Sequence, residues 1–330
     1  MEKKVKTNYL YLLNYEKFTM KLKHVLLPLI IFLCNIPANS QKKTFNGEIK
    51  IAIKVTSKCP GISDEEWKES MLFNDTVVHL HSGFNYKETF NEYTYYSLSD
   101  SNKDFTVFKN IDSLYQGWYS SNQQKENITI DRIPIDSLVH GYKCYKYIIS
   151  SEYSKTEFTL LDSTLYNNGK KVYLTYYYES PFLSIVSDAI SIEEKLIDSQ
   201  AFVIPSYPLS PLKNSEISHR IYSIPEFEGG NEGWQNYIQN NARTRLGTKY
   251  IKIPEGQTTG MQSVKIIFAL DSNGNVVKSV PIMAANMHPK LVKEALRLIN
   301  NSPTWKNALY HNKGIPFTFS QKITFASSNE

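Results

Sequence analysis

The chain has 330 residues and a mass of 38.0 kDa, more than one hydrophobic core usually serves, so two domains behind a short leader are expected. Hydrophobic residues at 41% and aromatics at 13% exclude a disordered, collagen-like or purely coiled chain. Most of the formal charge of +5 sits in residues 1–40, where six lysines face two glutamates; the other 31 Lys plus Arg nearly balance 30 acids, which argues against nucleic-acid binding.

Lys21, Lys23 and His24 precede an apolar run from Val25 to Cys34, and Ala38 and Ser40 place small residues before Gln41. That is the pattern of a secretory signal peptide over residues 1–40, with Met20 as an alternative start. The run is too short for a stable membrane-spanning helix, which needs about 20 apolar residues. No transmembrane segment is expected in the mature chain. Export to an oxidising compartment permits a disulfide between Cys59 and Cys144, with two separate buried thiols as the alternative.

From Asn46 to about Pro205, alternation rich in Tyr, Phe, Val, Ile and Thr predicts an antiparallel β domain. Ile51, Ile53 and Val55 share one face of its first strand, and Val77, His79 and His81 one face of a later one. Ser63 with Glu66 fits a capping box for a short helix, and the stretch to Phe73 fits a loop leading into a strand equally well. Asn167-Asn168-Gly169 predicts a hairpin turn, and 182–196 reads as mixed with partial helix. The prolines from Pro205 to Pro211 mark a boundary between domains at 41–212 and 215–326.

Beyond them the pattern becomes α+β. Trp234, Ile238, Ala242 and Leu246 form one helical stripe that Gly247 ends, and Val264, Ile266, Phe268 and Leu270 alternate along a strand. Asp271 to Asn275 turns into a return strand over 276–282. A second helix opens at Pro289 with Leu291, Ala295, Leu298 and Ile299 on its apolar side. The last strand carries Ile315, Phe317, Phe319, Ile323 and Phe325 on one face, with Thr318, Ser320, Lys322 and Thr324 opposite.

Catalytic signals are sparse. No phosphate-cradling glycine loop, HExxH helix or G-x-S-x-G elbow appears, so neither an enzyme nor a cofactor is expected. His79 and His81 are the best geometric pair for a metal, but no third ligand stands in register. The turn at Asp271 lacks the distal Glu of a calcium loop.

Residues 215–326 resemble the TonB C-terminal domain. The matching stretches are Pro225-Glu226-Phe227-Glu228-Gly229-Gly230, Val264 to Gly274, His288 to Ala295, Ser302-Pro303-Thr304-Trp305 and Gly314-Ile315-Pro316. Arg245-Leu246-Gly247-Thr248 stands where that family commonly has Tyr-Pro. The upstream domain is similar to GLPGLI-type exported proteins through Gly47-Glu48-Ile49, Gly141-Tyr142-Lys143-Cys144 and Phe202-Val203-Ile204-Pro205. The resemblances imply an α+β fold class: a mostly antiparallel β domain followed by a small αββαβ domain. They also imply a periplasmic or outer-membrane-associated location in a Gram-negative bacterium.

The function implied is protein recognition. An extended segment of an envelope or outer-membrane protein would add beside the last strand, with Ile315, Phe317, Thr318, Phe319, Ser320, Gln321 and Ile323 as the binding edge. A membrane anchor and long Pro-rich span are missing, so energy transduction is not expected. The alternatives are a carrier of an apolar ligand or lipoprotein through the β domain, and an uncharacterised hydrolase.

Overall fold

The computed structural model describes residues 44–83, 85–90, 93–98, 103–108, 114–117, 129–135, 138–162, 172–208, 222–282 and 287–328. The leader, the Asn167-Asn168-Gly169 turn and residues 209–221 of the proline-rich boundary lie outside them.

Eleven strands of the first region form one antiparallel sheet: β1 (Gly47–Ser57), β2 (Thr76–Ser82), β3 (Asn85–Thr89), β4 (Tyr93–Leu98), β5 (Lys103–Phe108), β6 (Leu114–Gly117), β7 (Thr129–Pro134), β8 (Cys144–Ser150), β9 (Lys155–Leu161), β10 (Tyr173–Glu179) and β11 (Leu183–Glu194). Their order is β6-β5-β4-β3-β2-β1-β11-β10-β9-β8-β7. Two meanders thus meet at the β1/β11 pair, which shares eleven residue pairs with one bulge at Lys50/Ile51. Alternation along each strand sends one set of side chains into the core: Ile49, Ile51 and Val55, then Val77, His79 and His81, then Tyr176 and Tyr178, then Leu183 and Ile185.

The sheet curls toward that buried face. The Tyr173 hydroxyl on β10 lies 3.2 Å from His79 Nε2 on β2, although β11 and β1 intervene. Three strand spacings in a flat sheet would span about 14 Å.

Between β1 and β2 the structure takes the helical one of the two expected readings, and the capping box forms. Ser63 Oγ accepts from the Glu66 N–H and the Glu66 carboxylate accepts from the Ser63 N–H, opening α1 (Asp64–Ser70). That helix places Trp67 in the core beside Val55 and Ile185. The mixed, partly helical expectation for 182–196 is corrected. Leu183, Ile185, Ser187 and Ala189 are buried at every second position, so β11 is a continuous strand that pairs with β1 and β10.

The second region contains β12 (Tyr222–Ser223), α2 (Gly230–Asn241), α3 (Arg245–Tyr250), β13 (Thr259–Leu270), β14 (Val276–Ile282), α4 (Pro289–Asn300), β15 (Ala308–Tyr310), β16 (Lys313–Ile315) and β17 (Phe317–Ser328). They make two three-stranded sheets, β12-β15-β16 and β14-β13-β17. The α4 helix starts where expected: His288 caps it, its Nδ1 accepting from the Lys290 N–H at 3.3 Å, and Pro289 occupies the first turn. The β13/β14 turn also matches, with Asp271 Oδ1 accepting from the N–H groups of Asn273 and Asn275. Gly274 adopts φ +87°, and a Cβ there would collide with the Trp305 carbonyl.

The expected α+β class with a separate small αββαβ domain is overturned. Seventeen strands stand against four α-helices among the described residues, so the molecule is mostly β. Three differences remove the αββαβ module. The stripe from Trp234 to Leu246 is two helices, parted at Ala242, whose backbone is extended. The terminal run is split: Ile315 ends β16 in the β12-β15-β16 sheet, and Pro316 separates it from β17 in the other. Finally, β13 is covered on both faces. Val264, Ile266, Phe268 and Leu270 pack under the helices, while Ile267 and Ala269 join the core of Val55, Tyr176 and Ile185 in the large sheet.

Polar contacts fasten the same junction. Lys278 of β14 donates to the carbonyls of Lys58 (2.8 Å) and Pro181 (2.6 Å), and Lys313 pairs with Glu69 of α1 at 2.6 Å. The two regions share a core.

Candidate functional site

β17 pairs with β13 through twelve consecutive positions, Leu270 with Phe317 through Thr259 with Ser328, and no shift interrupts the register. No strand pairs with its other side among the described residues. Of the predicted edge residues, Phe319 and Ile323 are buried in the helical core, and Phe317 packs against it. Gln321 lies on the same face, opposite Ile266, and is buried. Thr318 and Ser320 take the other face and are half-buried, while Lys322 is exposed. Ile315 is a correction: it belongs to β16, paired with Ala308 and packed with Leu72 and Tyr310, because Pro316 cannot carry the ladder through.

α3 closes one end of this margin. A Cβ on Gly247 would overlap the carbonyl oxygen of Ala326, with the carbonyl carbon directly behind, so that C=O points at the helix rather than at β13. Antiparallel strands direct both polar groups of alternate residues to the same side. By that parity Thr318, Ser320, Lys322 and Thr324 present their N–H and C=O outward, ahead of the stretch covered by α3.

Other described sheet ends are blunted. β6 has four residues, β7 runs into Pro134, β12 and β16 have two and three residues, and β14 contains Pro281 near one end and an irregular register opposite Ala269/Leu270 at the other. Short length, proline and bulges are the usual devices that keep an edge from pairing with foreign strands. β17 has only Lys322.

A second group of polar side chains lies inside the large sheet. His79 and His81 share the inward face of β2, as their spacing predicts, and β3 places Glu88 opposite His79 and Tyr86 opposite His81. His79 Nε2 and Glu88 Oε1 are hydrogen-bonded at 2.8 Å. The Tyr173 hydroxyl reaches the same carboxylate oxygen at 3.5 Å. Burial, and secondarily His79, pushes the His81 pKa down to about 3, so its ring is neutral. Burial, then the nearby Glu88 charge, raises the Tyr86 and Tyr173 hydroxyls well above the usual phenolic value.

Among the described residues no three His, Cys, Asp or Glu side chains converge to hold a metal. Sequence reasoning missed Glu88, Tyr86 and Tyr173. The residue types were visible, but the register that sets β3 against β2 was not.

Of the two states that the sequence leaves open for the cysteines, the structure has separate buried thiols. Cys59 and Cys144 are free thiols in different apolar clusters, the first with Trp67 and Phe182, the second with Phe45 and Leu174. Burial raises both pKa values to about 11, which makes them poor nucleophiles.

No family model matches the chain, and no curated protein matches it. Solved structures similar to it include one described as "Structure of PNGF-II in C2 space group", at 13% identity, with 69% of this chain and 44% of that chain covered and a TM-score of 0.35. The chain therefore spans under half the length of that protein, and a likeness this distant carries no argument about fold or activity.

Proposed function

We propose that this is a protein-recognition molecule that captures an extended segment of an envelope protein by adding it as a strand beside β17. One observation carries the reading: a twelve-residue strand held in unbroken register by β13 on one side, without proline or bulge, whose other side carries no strand ahead of the stretch covered by α3, on a molecule whose other described edges are short or interrupted. Main-chain hydrogen bonds to Thr318, Ser320 and Lys322 would supply affinity, and side chains at alternate positions would supply selectivity. The signal-like run before Gln41 supports export, which makes a membrane-associated protein of the cell envelope the partner.

Proline tests the edge. Phe319→Pro would also remove a buried ring, so the informative change is Ser320→Pro, which deletes one outward N–H and leaves the helical core intact. A photo-reactive amino acid at Lys322, in cells producing the full chain, should crosslink to a membrane-associated protein, and Ser320→Pro should lower the yield by about tenfold or more. Equal crosslinking by a folded Ser320→Pro protein would remove the physical basis of the proposal.

A further inference from the structure

Around the open side of β17 the charges are unlike those elsewhere on the molecule. Lysines of the first region meet carboxylates: Lys58 pairs with Glu179 at 2.6 Å, Lys155 with Glu157 at 2.6 Å, and Lys195 with Glu193 at 2.8 Å and Glu48 at 2.9 Å. Lys306 and Lys313 do the same, with Glu226 at 3.3 Å and Glu69 at 2.6 Å. Lys322 on β17 and Arg245 and Lys249 on α3 are exposed, and no ion pair among the described residues includes them. Compensation is not to be had locally, because β13, β17 and α3 contain no Asp or Glu.

We infer that the segment β17 accepts is acidic, with an Asp or Glu at the position opposite Lys322; the inference rests on strand addition at that edge. Residues directly opposite each other in paired strands project to the same face, with Cβ atoms about 4.5–5.5 Å apart. On its paired flank Lys322 stands opposite Lys265 of β13, and like charges so placed repel. Its same-face neighbours along the strand, Ser320 and Thr324, are neutral. A carboxylate on an incoming strand would therefore be the first opposite charge that Lys322 meets within the sheet. Farther along, α3 lies against Ala326, so a segment extending toward that end enters the field of Arg245 and Lys249 as well.

The same charges disfavour a second copy of this chain as the occupant. Two β17 edges brought together would set these cations against their like, which costs free energy. Nucleic acid and an anionic bilayer would suit the charge but not the backbone, since neither offers a row of amide N–H and C=O groups to Thr318, Ser320 and Lys322. An acidic polypeptide in extended form satisfies both.

A displayed library of short random peptides should be selected on the full chain and on folded Lys322→Gln, Lys322→Glu and Ser320→Pro. Wild type should enrich peptides that are β-prone and carry Asp or Glu at one fixed position. Lys322→Gln should weaken these peptides by about two- to fivefold, and Lys322→Glu should weaken them further and enrich Lys or Arg at that position instead. Lys322 is exposed, so neither change disturbs the core. Peptides that need an intact Ser320 but show no acidic position would overturn the acidic assignment and leave strand addition standing. Acidic peptides held equally by both Lys322 variants would do the same. Peptides bound equally by Ser320→Pro would overturn strand addition and this inference with it. So would selection of no peptide, and binding of phosphatidylglycerol vesicles or single-stranded DNA would then give the cations to a membrane or a nucleic acid. Should Ser320→Pro fail to fold, the contrast between wild type and Lys322→Glu still decides the acidic assignment.

Discussion

The core beneath α4 and the interior of the large sheet solve the same problem in opposite ways. Under α4, Leu291, Ala295, Leu298 and Ile299 meet Phe268 and Leu270, all fully buried and apolar. The one buried charge there, Glu294, is held by Arg297 at 2.7 Å and by the Arg243 N–H at 3.0 Å; burial works against its ionisation, yet these partners keep its pKa below the usual value. Inside the large sheet, by contrast, His81, Tyr86 and Glu88 retain unpaired atoms. Where polar groups are satisfied they add to stability; where they are not, their burial costs it.

The sharpest way to stress this contrast is to damage the apolar side. Leu298→Ala should cost about 3–5 kcal/mol in urea unfolding, because Leu298 is fully enclosed and neighbours on both α4 and β13 cannot close the cavity. A loss near 1 kcal/mol would show that this core is looser than its burial implies.

Acid should strike the other side. His81 has an unfolded pKa of 6.5 and a folded one of about 3, so between these values the unfolded chain binds a proton that the folded chain refuses. Its contribution is complete above pH 6.5 and is lost as pH falls, amounting to about 2–3 kcal/mol by pH 4.5. His81→Phe should flatten that limb of the stability curve. An unchanged acid limb in the variant would assign the effect to other groups.

The smallest effect is expected at the junction between the two. Ser63→Ala removes the cap of α1 and should cost about 1 kcal/mol, measured by the same unfolding curve. Ser272 also donates to Glu66 across the junction at 3.3 Å, so a larger loss would mean that the cap steadies both regions.

Much of the local structure was legible from the sequence. The capping box at Ser63, the alternation of β13, the Asp271 turn and the start of α4 each follow from a short-range rule, and each is present. What escaped was long-range. The β13 run Ile266-Ile267-Phe268-Ala269-Leu270 is apolar on both faces, the mark of a strand covered on both sides, and reading only its even positions concealed the shared core. In β11, Ser184, Ser187 and Asp188 obscured the alternation, although Ser187 is buried. The edge of β17 was readable as a strand, but its freedom depends on where β16 ends and where α3 lies. Likewise His79 and His81 were visible as a pair, whereas Glu88 became their partner only through strand register.

The pairing of β1 with β11 has a consequence for biogenesis. The first strand of the large sheet finds its second neighbour only after every other strand of that sheet has been synthesised. Folding dominated by such distant contacts is slow, because chain closure is paid before the ladder rewards it. Until β11 arrives, one flank of β1 stays open, and the nascent polypeptide remains unlocked for much of its passage from the ribosome.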